Sequence, residues 1–321
     1  MPGPTPEPIC LCPAGWRREA LTLLYRRVDR RLRDRAVADA LAEAEGGLID
    51  LSGLWVAHRR GRLIGTLLTQ ALAGRAAAVW APEVVEGWGR SGTAKRLLSS
   101  ALDHLRAEGL QIAQALLDET APLRAATDLS RGGLPRITTL DYLERDTSAP
   151  IEGPIPRVEF AWRPFAPETE AEFRDVLQAT YAGSLDMPEL EGVRSLDDVI
   201  AGHRAAGRFD PARWLVGQTP GEPDASAVVL LSEIPDRDAW EVAYLGLTPP
   251  PVAGASACPP WSTPAAWPPL LPIASNWPST AATLRPSAST ALRASGGSTG
   301  GRCIWRFWGG KLTGEPRPFI E

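Results

Sequence analysis

Apolar residues recur at three- and four-residue steps from Trp16 to Ala44, where Leu21, Leu24, Val28, Leu32, Val37 and Leu41 stand among arginines. That period predicts one or two amphipathic helices. Gly46 and Gly47 close them, and short apolar runs follow: Leu54–His58, Leu63–Leu72 and Ala76–Ala81, the last stopped by Pro82. These read as three strands, the first two joined by a hairpin turn, Arg59–Arg62, around Gly61. A glycine-rich loop, Glu86–Thr93, then opens a helix from Thr93 to about Glu108 whose buried stripe is Leu97, Leu98, Ala101, Leu102 and Leu105. A strand at Gln111–Leu117, a short helix at Leu123–Leu129 and a strand at Ile137–Leu143 complete a mixed sheet with helices on both faces.

The pattern then begins again. Ser148–Pro156 is rich in proline and glycine and reads as a linker. Helices are expected at Glu168–Tyr181, with Phe173, Val176, Leu177 and Tyr181 on one stripe, and at Ser195–Ala205, capped by Ser195 with Asp197 and Asp198 in the first turn. Strands follow at Arg213–Gly217, Ala227–Ser232 and Trp240–Leu247. Helix, helix and three strands thus occur twice, an internal duplication of architecture. The expected class is α/β, with residues 1–147 as a first domain, 148–156 as linker, 157–250 as the first half of a second domain that stops after its fourth family strand, and 251–321 as a tail.

Composition narrows the function classes. A chain of 321 residues with 44% hydrophobic residues can build two cores. A net charge of -4 argues against a nucleic-acid binder, and Glu19, Asp29, Asp34, Asp39, Glu43 and Glu45 make the arginine-rich face of the first helices a solvated one. Cys10, Cys12, Cys258 and Cys303 lack paired zinc spacing, Cys10 and Cys12 read as free thiols, and His58, His104 and His203 are scattered, so no structural metal is expected. No apolar run reaches the ~18 residues of a membrane span. The expectation is a soluble cytoplasmic protein with no nucleic-acid or membrane partner.

Gly87, Gly89 and Gly92 satisfy G-x-G-x-x-G, with Asp118 further on. A helix N-terminus behind such a loop favours a phosphate. A nicotinamide-binding reading is weak because three strands already precede the loop and Pro82, Glu83 and Glu86 stand where a buried first strand should run.

The run W-E-V-A-Y-L-G-L-T-P-P, Trp240–Pro250, brings in a resemblance. With the duplicated element order, the chain resembles the GNAT superfamily of acetyl-CoA-dependent N-acetyltransferases in a tandem form like that of mycothiol-synthase-type enzymes. The resemblance implies that the pantetheine arm of the cofactor pairs with Tyr244, Leu245, Gly246, Leu247 and Thr248, and that Glu241 occupies the place of a catalytic glutamate. A base is chemically apt there, since an ammonium must lose a proton before it attacks a thioester. The alternative for Glu241 is a solvent-facing residue on a half-buried strand, and Asp236 and Asp238 are rivals that read as turn formers. In the first copy the resemblance places Gly89 and Gly92 at the cofactor loop, but Glu86 replaces a basic or amide residue and would repel a pyrophosphate. The first copy therefore reads as more structural than catalytic.

From Pro251 to Gly310 there is no aspartate, glutamate or lysine, while proline, serine, alanine and tryptophan crowd together. The expected loop and helix cannot form from such a segment. Two explanations stand: a proline-rich linker or peptide-binding tail, or a shifted reading frame. Read from each third base, the codons compatible with Asn276–Gly296 allow L-A-V-D-x-R-N-x-x-A-L-R-L-Y-x-x-x-G-F, which matches the second signature of the family. The same shift over Pro251–Trp261 allows R-x-x-G-L-G, and over Cys303–Gly309 a last strand. A slip in the proline run Pro249–Pro251 would produce all three. It would leave the family's fourth strand as an exposed edge and the tail poorly ordered. The function expected is acetyl or acyl transfer from acetyl-CoA to a primary amine of a small molecule or peptide, lost in this chain; the alternative is a non-catalytic tandem binding module. Acceptor identity and oligomeric state are not legible.

Overall fold

A computed structural model describes residues 8–87, 89–148, 160–184, 186–249 and 300–307, the last stretch by its backbone alone. Most of the expected linker and all of the expected tail except 300–307 lie outside the described residues. The chain divides into two units.

The first unit opens with β1 (Ile9–Leu11), followed by α1 (Arg17–Leu24) and α2 (Arg30–Glu45), then β2 (Leu54–Arg59), β3 (Arg62–Leu72), β4 (Ala76–Val79) and a two-residue β5 (Glu83–Val84). It continues with α3 (Arg90–Ala107), β6 (Ile112–Asp118), α4 (Leu123–Gly132) and β7 (Arg136–Asp141). The β2–β3 hairpin forms where Arg60 and Gly61 both take positive φ, 51° and 74°, the backbone that a two-residue turn with the twist of its strands requires. β1, unread in the sequence, pairs antiparallel with β2. It has three residues and no visible alternation.

The sheet runs β1-β2-β3-β4-β6-β12-β7, where β12 is Gly300–Phe307. β4 and β6 pair in parallel, which the helix α3 between them permits. β12 lies antiparallel to both β6 and β7. A stretch expected to lie beyond both domains thus supplies the strand that saturates the facing edges of β6 and β7, whose backbone groups otherwise face each other across a gap. One core beneath the sheet joins Leu97, Leu98, Ala101 and Leu102 of α3 to Leu67, Ala113 and Leu129; the second packs Leu21 and Val37 of the first helices against Leu54 and Val56.

Tyr25 caps α1 at its C-terminal end. Burial pushes its phenol up to about 12, and the Glu43 carboxylate adds to the rise. Tyr25 in the unfolded chain ionises near 10.0, so the stabilisation it gives is whole below that pH and is lost as pH climbs to the folded value. Two units correspond to roughly 2–3 kcal/mol. Tyr25→Phe is expected to flatten the alkaline decline of stability in urea melts between about pH 9 and 12; an unchanged decline contradicts this.

The second unit contains β8 (Ala161–Pro164), α5 (Glu170–Tyr181), residues 199–204 of α6 (Leu196–Arg204), β9 (Arg208–Gln218), β10 (Ala225–Ile234) and β11 (Ala239–Leu247). Its sheet is antiparallel in the order β11-β10-β9-β8, and among the described residues β11 is an edge. β9 begins five residues earlier than expected because Pro211 hides it: the β9–β10 register jumps from Trp214 opposite Leu230 to Phe209 opposite Ser232, an irregularity of the kind that proline forces on a strand. Ser195 caps α6 as expected, accepting from Asp198 N at 3.1 Å.

Candidate active site

β11 carries an extra residue. Tyr244 lies opposite Leu230 of β10, Val242 opposite Leu231 and Glu241 opposite Ser232, which leaves Ala243 without a partner. In a regular strand, residues three apart point to opposite faces. The bulge removes one step, so Glu241 and Tyr244 share a face. That face is covered by α5: Thr180 Oγ meets Tyr244 Oη at 2.9 Å, and Trp214, in the same cross-strand row as Tyr244, stacks on Phe173 with centroids 5.7 Å apart. Gly246 is required on this side, since a Cβ there would lie 2.7 Å from the Thr180 Cβ.

Glu241 is 5% exposed. The solvent-facing reading of Glu241 is therefore wrong: the bulge turns its side chain under the helices instead of outward. Beside it, Ser232 is 1% exposed and its hydroxyl has no hydrogen-bond partner among the described residues.

Aromatic and polar groups surround the Tyr244 end. The Tyr181 and Tyr244 rings are 4.9 Å apart and those of His203 and Tyr244 5.4 Å. Tyr181 Oη and His203 Nε2 lie at 2.9 Å. Burial pushes the Tyr244 phenol above its usual range; hydrogen bonds with Thr180 and Tyr181 pull the other way, and the Asp186 charge adds to the rise. Sequence reading placed Tyr181 on a core stripe and left His203 unassigned, because nothing in the spacing shows two helices meeting over one strand.

Of the other residues singled out in the sequence, Leu245 and Leu247 alternate with Gly246 and point to the opposite face. Thr248 follows the strand and donates its N–H to Ser226 O at 2.9 Å. Asp238 sits in a left-handed turn position, φ 50°, after the short 3-10 turn Pro235–Arg237, in keeping with a turn former.

In the first unit, Gly89 is the N-cap of α3 with φ 85° and Gly92 lies in its first turn. Glu86 is not left to repel an anion: it pairs with Arg124, and with Arg26 and Arg90 at 3.7 and 3.9 Å. Arg90 in turn forms a two-pronged pair with buried Asp128 at 3.1 and 2.6 Å. The glycines do not belong to a dinucleotide fold, because the strands before them are antiparallel to one another. Among the described residues no three His, Cys, Asp or Glu side chains gather as a metal site, and no helix is long and apolar enough to cross a membrane.

Helix, helix and antiparallel strands, then a helix leading to a parallel strand beside the fourth, define the first unit, and the second repeats the opening half. The chain is of the α/β class, with one mixed and one antiparallel sheet. No protein-family model and no curated protein matches it. Among solved structures it is similar to a GCN5-related N-acetyltransferase from Sphaerobacter thermophilus, at 13% identity over 78% of both chains with a TM-score of 0.46. A GNAT family acetyltransferase from Brucella melitensis in complex with acetyl-CoA matches 40% of this chain and 82% of its own at 18% identity, TM-score 0.30. The ribosomal-protein-S18-alanine N-acetyltransferase from Escherichia coli matches 44% and 86% at 13% identity, TM-score 0.33.

Proposed function

We propose that the second unit carries half of an N-acetyltransferase site, with acetyl-CoA as donor and a primary amine of a small molecule or peptide as acceptor. The observation that carries this reading is the bulge that turns Glu241, a carboxylate buried in the sheet, onto the face of Tyr244. Glu241 takes a proton from the acceptor ammonium. The freed amine attacks the thioester carbonyl carbon, the C–N bond forms as the C–S bond breaks, and the thiolate leaves with a proton. Bound acetyl-CoA supplies the activated acyl group. The edge of β11 that is open among the described residues, from Tyr244 to Leu247, offers backbone N–H and C=O groups with which an extended amide chain would pair as an added strand. In the first unit, Gly89 and Gly92 would offer a phosphate the start of α3.

The loop and helix that should follow β11 are missing from the letters of residues 251–310, so this polypeptide is expected to transfer no acetyl group above background, whereas a chain with the frame restored after Pro249 is active. The assay is acetyl-CoA-dependent acetylation of an amine panel by both proteins. Equal activity in the two contradicts the reading.

A further inference from the structure

β6 and β7 do not pair with each other. Each lies antiparallel to β12, so the two run parallel, two strand spacings or about 9–10 Å apart, and the gap between them takes one strand. Its occupant comes from the far end of the chain. Gly301–Phe307 pairs in unbroken register with Asp118–Ile112, while Gly300–Ile304 pairs with Asp141–Arg136 across a register shift between Cys303 and Ile304. The two walls of the slot differ. β6 is fixed, since Ile112, Ala113, Ala115 and Leu117 are buried and its other edge pairs with β4. β7 has no buried residue, and among the described residues β12 is the one strand beside it. The chain is last anchored before β7 at Leu134, which is fully buried and donates its N–H to Leu129 O at 2.9 Å; Pro135 follows.

A strand between one firm and one loose wall is held as a peptide ligand is held, by main-chain hydrogen bonds to an edge. We propose that the slot between β6 and β7 is an exchangeable peptide-binding site, that residues 300–307 are its built-in ligand, and that β7 swings out about Leu134 and Pro135 to admit or release them. This opening takes no buried side chain of β7 out of the core, because β7 contributes none. Only ladder hydrogen bonds are lost, and water replaces them at small net cost. The core that Leu97, Leu98, Ala101 and Leu102 of α3 build against the sheet stays in place. Recognition is by backbone, so the site takes an extended segment that runs antiparallel to β6. A proline in the middle of that segment is excluded, since it has no N–H to give to either wall. No residue of the second unit takes part, so exchange does not depend on acetyl transfer.

Amide hydrogen exchange of the unaltered full-length chain reads the opening directly. Residues 300–307 and Arg136–Asp141 are expected to exchange together, roughly 100-fold faster than the β2–β3 hairpin, whose Leu54, Val56 and Leu67 are fully buried. Protection of β12 and β7 equal to that of β2 and β3 overturns the proposal. Ile304→Pro in the full-length chain empties the slot, because Ile304 pairs with Ala115 on one side and Arg136 on the other. A fluorescent peptide with the sequence of Gly300–Phe307 is then expected to bind this variant saturably. It should bind the parent roughly ten-fold or more weakly, since the tethered strand competes at a high effective concentration. The same peptide carrying Ile304→Pro should not bind. Equal binding by variant and parent, equal binding of the two peptides, or binding of neither overturns the proposal. Should Ile304→Pro not fold, the exchange rates of the parent decide alone.

Discussion

Glu241→Gln in a frame-restored chain is expected to cut acetyl transfer by roughly 100- to 10,000-fold, the range that a positioned general base contributes. Glutamine fills the same space and keeps a hydrogen-bonding end, so the fold should survive the change. The buried position of Glu241 decides why the effect should be large. A carboxylate that is 5% exposed cannot be replaced by bulk water reaching the same place. The loss should appear in kcat, with KM for acetyl-CoA little altered, because in the proposed arrangement the cofactor would pair with the backbone of β11 and not with this side chain. A change confined to KM would show that Glu241 holds a ligand and moves no proton.

Trp214→Ala is expected to cost about 3–5 kcal/mol, at the upper end for a core substitution. Trp214 is fully buried and has three ring neighbours: it stacks on Phe173 and meets Phe209 and Phe165 edge to face at 4.8 and 6.1 Å. It also stands in the cross-strand row of Leu230 and Tyr244. Its loss would open a cavity under the helix that supplies Thr180 and Tyr181. Domains have only about 5–15 kcal/mol to lose, so the second unit should unfold at much lower urea. Trp214→Phe should recover most of the loss. Equal melts for Trp214→Ala and the parent would mean that the aromatic cluster does not hold this sheet.

The hairpin at Arg59–Arg62, the helix of Leu97 and Leu102 and the Ser195 cap were legible because each depends on residues close together in sequence. What stayed hidden depends on pairing. β1 and β8 have three and four residues, too few for alternation to show, and they exist because a neighbouring strand offers them an edge. Glu86 read as a repulsive charge at a phosphate loop; Arg26, from the turn between α1 and α2, and Arg124, from the later helix α4, neutralise it. The bulge at Ala243 is a count of residues on one strand against another, which no single strand reveals. Without it, Glu241 and Tyr244 belong on opposite faces, and the sequence alone left the base and the solvent-facing reading of Glu241 side by side. The tie between Tyr181 and His203 joins two helices of unrelated pattern. The break after Pro249, by contrast, was visible only in the letters, as a loss of every acidic residue and lysine up to Gly310.

The central claim is that β11 forms one half of an acyl-CoA site whose other half is absent from this polypeptide. It is tested most directly by measuring acetyl-CoA-dependent acetylation of a primary-amine panel with this chain and with the frame-restored chain under identical conditions. The account predicts product formation by the restored protein alone. Equal rates in the two proteins, or no product from either, would contradict it.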